Sequence, residues 1–225
     1  MILVFGEIFM CHSKISTTWI DLNSQLDRLI LDDSLSFIES DIINRVIIGG
    51  FEKNTKVCKN EVKLLLNNFS IIDSQSVIEI GGGYGNFCRI FQENIPTKEY
   101  TIVDTNNMLR LSRYFLDTKK VKCNFVDTNK IESIFGKKFS LFVSNICLSE
   151  IPEEHRVFIL DNILPNCGAF FIIDANKFLV GGGEEFSKHL MSILEKYFFV
   201  RTIECSNICF QKNHDLYIGT KNDRF

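Results

Sequence analysis

From Ser76 onward the chain alternates short apolar runs, rich in β-branched residues, with segments whose apolar positions recur every three or four residues. Ser76–Ile80, Tyr100–Val103, Lys122–Val126, Phe139–Val143 and Ala169–Asp174 read as buried strands, and Phe198–Glu204 with Asp215–Gly219 as an antiparallel edge hairpin. Between them Asn86–Glu93, Thr105–Leu116, Ile131–Phe135, Pro152–Leu164 and Glu184–Tyr197 read as helices, Pro152 being suited to a first helical turn. This order predicts an α/β fold with a doubly wound, mostly parallel seven-stranded sheet and right-handed crossovers.

Ahead of the first strand the pattern is helical. Leu22, Leu26, Leu29 and Ile30, then Leu35, Ile38 and Ile42, predict two amphipathic helices within Trp19–Val46. Gly49-Gly50 breaks that pattern, and Asn54–Phe69 resumes it through Val62, Leu65 and Leu66. Residues 1–75 are therefore expected to form a helical cap and residues 76–225 the core, together one structural domain.

The segment Ser76–Phe87, S-V-I-E-I-G-G-G-Y-G-N-F, carries the candidate chemistry. Gly81, Gly82, Gly83 and Gly85 turn the chain sharply out of a strand and let main-chain N–H groups approach a ligand that a Cβ would block. Asp104 lies at the end of the second strand, about 20 residues past the loop, where a doubly wound fold puts the carboxylate that accepts from ribose hydroxyls. A dinucleotide fingerprint would need a third glycine where Asn86 stands. Glu79 beside the loop would repel a pyrophosphate and attract an ammonium or sulfonium group, which favours S-adenosyl-L-methionine.

At these residues the chain resembles the class I methyltransferases. E-I-G-G-G-Y-G is similar to their first motif, I-V-D-T-N (Ile102–Asn106) to their second, and N-F-V-D (Asn124–Asp127) to their acidic position near adenine. Within that class, E-I-G-G-G-Y-G-N-F and S-N-I-C-L-S-E-I-P-E-E (Ser144–Glu154) resemble the sugar O-methyltransferases. The resemblance implies a Rossmann-like core, S-adenosyl-L-methionine as cofactor and a hydroxyl of a saccharide or sugar-bearing intermediate as acceptor. It also implies that the N-terminal helices cover the cofactor or line the acceptor pocket; a plain helical cap, or a face for a homo-oligomer, is the competing expectation. A non-sugar small molecule, a protein or RNA acceptor, and a catalytically silent cofactor-binding subunit, are the alternatives. The Asn/Asp-Pro-Pro-Tyr motif of amino-group methylation is absent after the fourth strand, where Ser144-Asn145-Ile146-Cys147 stands.

Ligands of open α/β sheets bind beyond the carboxyl ends of the strands. On that rule Glu79, Gly81, Gly82, Gly83 and Gly85 would hold the methionine end, Asp104 the ribose and Asp127 the adenine edge, with Asn145–Leu148 facing the acceptor. Asp127 is explained almost as well as a cap of the following helix. An alcohol acceptor also has to lose its proton, and Glu150 and His155 beside the fourth strand end are the candidate bases. Glu150, Glu153 and Glu154 equally suit a helix N-terminus, and His155 reads equally as a solvated helix residue. After the fifth strand Gly181-Gly182-Gly183 could hinge a lid. Asp174 with Asn176 or Glu184 offers oxygen ligands, but the spacing is not diagnostic and no metal is assigned.

Bulk properties narrow the partners. A net charge of −3 and a pI of 5.9 provide no field that would gather a long nucleic acid, so a small acceptor fits better. Met1–Cys11 is apolar but has Glu7 in its middle and no basic leader, so neither a signal peptide nor a membrane span is expected there. The 8 cysteines include no C-x-x-C pair and read as free thiols of a cytoplasmic protein.

Overall fold

The computed structural model describes residues 39–69, 76–175, 183–204 and 214–222. Most of Trp19–Val46, the Met1–Cys11 segment, Asn176 and Gly181-Gly182 lie outside the described residues. The chain divides into two units, Met1–Asn54 and Thr55–Phe225. Of the first unit, residues 39–54 are described, and all are helical.

Helix α1 runs from Glu39 to Asn68. It passes straight through Gly49-Gly50, which corrects the expected break. Glycine is permissive rather than forbidding: each costs about 1 kcal/mol against alanine inside a helix, too little to stop a 30-residue one. In the second unit the helix buries Cys58, Val62 and Leu65, and with them the carboxylate of Glu61.

Seven strands follow: β1 Ser76–Ile80, β2 Glu99–Asp104, β3 Asn124–Asp127, β4 Phe139–Asn145, β5 Cys167–Ala175, β6 Phe198–Glu204 and β7 His214–Lys221. Their order in the sheet is β3-β2-β1-β4-β5-β7-β6. The first five pair in parallel, while β7 runs antiparallel to both β5 and β6. This is the doubly wound Rossmann-like sheet with its edge hairpin. The order reverses between β1 and β4, and that crevice is where such sheets hold their ligands.

The connecting helices are α2 Asn86–Asn94, α3 Asn106–Thr118, α4 Glu153–Phe158 and α5 Gly183–Tyr197, with short 3-10 turns at Thr128–Ile134 and Leu148–Glu150. The expected long helix Pro152–Leu164 is not uniform. It begins as α4, widens to a π turn over Ile159–Ile163 and ends in a 3-10 turn at Leu164–Asn166. Pro165 has no N–H to donate to the ladder, so the regular bonding stops just before it.

Strand periodicity decides what each face meets. Ile78, Ile80, Val103, Phe142, Phe170 and Ile172 join one core with Leu160, Leu190 and Leu194. On that side Phe170 meets Phe198 edge to face with ring centroids 4.9 Å apart. The opposite face carries Glu79, Tyr100 and Phe171, and there Phe91 of α2 packs edge-on against Tyr100 at 5.6 Å while Phe87 stacks on Phe171 at 6.4 Å. The single polar member of β1 on this face, Glu79, is buried beside Tyr100.

The edge hairpin depends on a missing side chain. A Cβ at Gly219 of β7 would run into the backbone oxygen of Phe199 and approach Phe170 Cε1 to 2.7 Å. Gly219→Ala is therefore expected to destabilise the fold by about 1–3 kcal/mol, read as a lower urea midpoint at unchanged slope. A midpoint equal to that of the wild type refutes the close approach.

Candidate active site

The loop between β1 and α2 is shaped by glycines for different reasons. Gly81, Gly83 and Gly85 have φ of 76°, 54° and 90°, left-handed values that L side chains disfavour. Gly85 is the N-cap of α2, and its N–H donates to Gly82 O over 2.9 Å. A Cβ at Gly81 would fall 2.5 Å from Cys147 Cβ, and one at Gly82 2.6 Å from Ile102 Cγ2. At Gly83 a Cβ would meet nothing within 4 Å. So Gly81 and Gly82 let the loop settle onto β4 and β2, and Gly83 borders open space.

Asp104 grips that open point. Its Oδ2 accepts from Gly83 N–H at 3.1 Å and its Oδ1 from Thr105 N–H at 2.7 Å, while the Ser112 hydroxyl donates to Gly83 O. Burial pushes the Asp104 carboxyl up to about 6, against the pull of those two N–H groups. Glu79, 2% exposed, accepts from the Tyr100 hydroxyl at 2.9 Å. Burial pushes it up to about 8, the Tyr100 bond opposes this, and the nearby Asp104 and Glu61 add to it.

Sequence reasoning missed Glu61. Burial raises its carboxyl to about 7, and its Oε2 accepts from Asn145 Nδ2 at 3.3 Å. A carboxylate set among Cys58, Val62 and Leu65 on the apolar side of α1 is the signal that could have found it. Tyr100 and Ser112 were also missed, because only the folded sheet brings them to the site.

The other expected residues lie at neighbouring strand ends. Asp127 is level with Asp104 across the β2–β3 pairing, and its side chain accepts from Asn129 N–H at 2.9 Å, so it does cap the turn that follows. Asn145 ends β4, with its Oδ1 buried and without a hydrogen-bond partner among the described residues. Ile146 then takes φ 51° and donates its N–H to Ile173 O at 2.7 Å. Glu150 closes the 3-10 turn Leu148–Glu150, whose Ser149 N–H donates at 3.2 Å to the fully buried Asp174. His155 is on α4, a third exposed, with Nε2 3.9 Å from Glu154 Oε1. The loop, Asp104, Glu79, Glu61 and Asn145 are brought together by these contacts, whereas the ion-pair contact of His155 is to its chain neighbour Glu154. Among the described residues no cluster of His, Cys, Asp or Glu could hold a metal, and no helix is long and apolar enough to cross a membrane.

This arrangement suits a small cationic methyl donor: a glycine loop that borders open space at Gly83, a carboxylate at the β2 end, and buried acceptor groups at the β1 and β4 ends. It defines a Rossmann-like methyltransferase fold. Residues 56–185, more than half of the chain, match the methyltransferase small domain family, and the chain belongs to that family. It is accordingly an S-adenosylmethionine-dependent methyltransferase. Solved structures agree on the fold. The plantazolicin methyltransferase BpumL in complex with SAH aligns with a TM-score of 0.56 at 14% identity, covering 93% of this chain and 98% of that one. An O-methyltransferase family protein from Burkholderia thailandensis gives 0.57 at 12% identity, over 92% of this chain and 70% of that one. The mitomycin 7-O-methyltransferase MmcR gives 0.55 at 13%, over 93% and 69%. No curated protein matches the chain.

The raised carboxyls have a consequence for stability. Glu61 and Glu79 hold their protons more tightly folded than unfolded, so between about pH 4.5 and pH 8 the folded chain binds more protons and the contribution of these groups to stability falls as pH rises. Glu79→Gln, which stays neutral throughout, is expected to gain stability relative to the wild type at pH 8 compared with pH 6, measured by urea unfolding. Parallel pH dependences in the two proteins refute the burial cost.

Proposed function

We infer that this methyltransferase transfers its methyl group to a hydroxyl of a saccharide or sugar-bearing intermediate. The observation that carries this reading is the polar exit of β4. Asn145 Oδ1 and Ser149 Oγ are both buried with no hydrogen-bond partner among the described residues. Buried polar atoms without partners are costly, and a polyhydroxyl acceptor offers groups to satisfy them where an apolar ring would not. The likeness of Ser144–Glu154 to the sugar O-methyltransferases supports the same acceptor.

The bound donor would supply an electrophilic methyl group on a positively charged sulfur. Gly81, Gly82, Gly83, Gly85 and Glu79 are the residues assigned to its amino-acid end, Asp104 to its ribose and Asp127 to its adenine edge. Positioning provides much of the acceleration of such a displacement, because acceptor oxygen, carbon and sulfur have to lie in line. Glu150 is assigned the proton of the acceptor hydroxyl, in preference to His155. Its turn is tied down by the Ser149–Asp174 hydrogen bond, whereas His155 is partly solvated beside Glu154.

The acceptor class is tested by incubating the enzyme and isotopically labelled donor with a saccharide pool and following the label by mass spectrometry. Label on a sugar oxygen is the expected result; label only on amines or protein side chains rejects the sugar reading. Asp104→Ala is expected to weaken donor binding by about 1.5–3 kcal/mol in isothermal titration, as loss of charge-assisted hydrogen bonds would. Glu150→Gln is expected to lower turnover at least tenfold while leaving donor affinity within about twofold, the range of a lost general base. Normal turnover in that variant moves the base elsewhere.

A further inference from the structure

We propose that Cys88 and Cys123 form a site of oxidative modification, a thiol pair that a peroxide converts into a disulfide fastening the edge strand β3 to helix α2. Neither residue belongs to the candidate active site, and the chemistry needs neither methyl donor nor acceptor.

The register of the sheet brings the two residues together. Asn124, the first residue of β3, pairs with Thr101, which places Cys123, one residue earlier, beside Tyr100 of β2. Tyr100 stands on the face that α2 covers, with Phe91 packed edge-on against its ring. From α2, Gln92 Nε2 donates both to Cys88 Sγ at 3.2 Å and to Lys122 O at 3.0 Å, the carbonyl of the residue before Cys123. One amide thus spans the gap between the helix and the approach to β3. Within that gap the thiols meet: burial pushes Cys88 well up, and its hydrogen bond with the Cys123 thiol adds to this. Burial also dominates the rise of the Tyr100 hydroxyl, to which both of these thiols contribute from close by.

The two partners are unequal. Cys88 is fully buried in the first turn of α2, whereas Cys123 is half-buried in the irregular segment ahead of β3, its thiol donating to Asn124 O at 3.2 Å. An oxidant therefore meets Cys123 first. Its sulfur attacks one oxygen of hydrogen peroxide, the O–O bond breaks, and a sulfenic acid and one water result. The sulfur of Cys88 then attacks that of Cys123 and expels the hydroxyl as a second water, which leaves the S–S bond. Each sulfur gives up one electron, the peroxide takes both, and the two thiol protons end in the two waters. Because Cys123 belongs to neither helix nor strand, a small shift of residues 121–123 closes the sulfurs to bonding distance without disturbing α2. β3 has 4 residues and pairs on one side only, so a second attachment holds it where the sheet does not. The bond also closes a loop of roughly 35 residues and so restricts the unfolded chain.

The test treats the reduced, folded chain with hydrogen peroxide, blocks the remaining thiols and digests it without reductant for mass spectrometry. A cross-linked species joining the peptides of Cys88 and Cys123 is expected, lost on phosphine reduction, together with a higher urea midpoint in the oxidised than in the reduced protein. In Cys88→Ala the cross-link gives way to a sulfenic acid at Cys123 that dimedone traps, and in Cys123→Ser the buried Cys88 stays a thiol under the same treatment. In the reduced wild type, iodoacetamide is expected to label Cys123 at least about tenfold faster than Cys88. A wild type in which Cys123 accumulates as sulfenic or sulfinic acid while Cys88 remains a thiol overturns the pair, and this result needs no variant to fold. Cross-links from either residue to a different cysteine, a urea midpoint lowered by oxidation, or no reaction of either thiol with peroxide overturn it equally.

Discussion

The buried carboxylate of Asp104 is the interaction on which the rest of the site depends. It joins the end of β2 to the glycine loop through Gly83 N–H and to the start of α3 through Thr105 N–H. A loop with so many glycines has a large conformational entropy to lose, and a buried charge-assisted hydrogen bond is among the few single contacts strong enough to help fix it. Ser112 of α3 holds the other side of the same residue at Gly83 O, so the open residue of the loop is clamped from both its N–H and its carbonyl. The sheet sets Asp104 within reach of the loop, because β1 and β2 are in parallel register and Gly81 N–H continues the ladder to Val103 O at 2.9 Å.

Around this clamp the fold accepts an electrostatic cost. Glu61, Glu79 and Asp104 are buried within one region, and burial raises each of them. Apolar residues at the same positions would make a more stable protein, because a buried carboxyl is costly even when hydrogen-bonded. Such an arrangement is characteristic of sites where a charged ligand or a proton is handled. At Glu79 burial sets the direction of the shift, while the Tyr100 hydroxyl supplies a bond that keeps the carboxyl satisfied.

Much of this was legible in the sequence, for physical reasons that differ by element. The central strands are buried on both faces and therefore spell continuous apolar runs, which is why β1, β2, β4 and β5 were located and a seven-stranded sheet was expected. The glycine loop and Asp104 were legible because their spacing is set by one βαβ unit. Gly49-Gly50 misled because glycine weakens a helix without forbidding it, and neighbours decide the outcome. The π turn before Pro165 could not be read from a three- or four-residue period, which one extra residue in a turn displaces. Glu61 escaped although Cys58 and Leu65 put it on the apolar side of α1, because a carboxylate on a helix is ordinarily a solvated one. Its meaning comes from Asn145, which lies 84 residues away along the chain. At Asp127 the folded chain shows the cap that the sequence offered as the competing reading, with one carboxylate oxygen engaged by Asn129 N–H.

The exit of β4 shows how rigidity is imposed where the proposed acceptor and donor sites meet. Ile146 is β-branched and sits at φ 51°, a conformation that costs such a residue on the order of 1–3 kcal/mol. It persists because its neighbours over-determine it. Ile146 N–H is committed to Ile173 O, Ser149 N–H to Asp174, and Cys147 fills the space that Gly81 leaves by having no side chain. Both hydrogen bonds lead to β5, so β5 sets the path of the chain between Asn145 and Glu150. Since Gly81 belongs to the loop that Asp104 clamps, a shift of the β4 exit would also disturb the loop through Cys147. The proposed donor and acceptor sides of this enzyme are thus held in one packed unit, fixed through Asp104 and Cys147 as well as by the backbone bonds to β5.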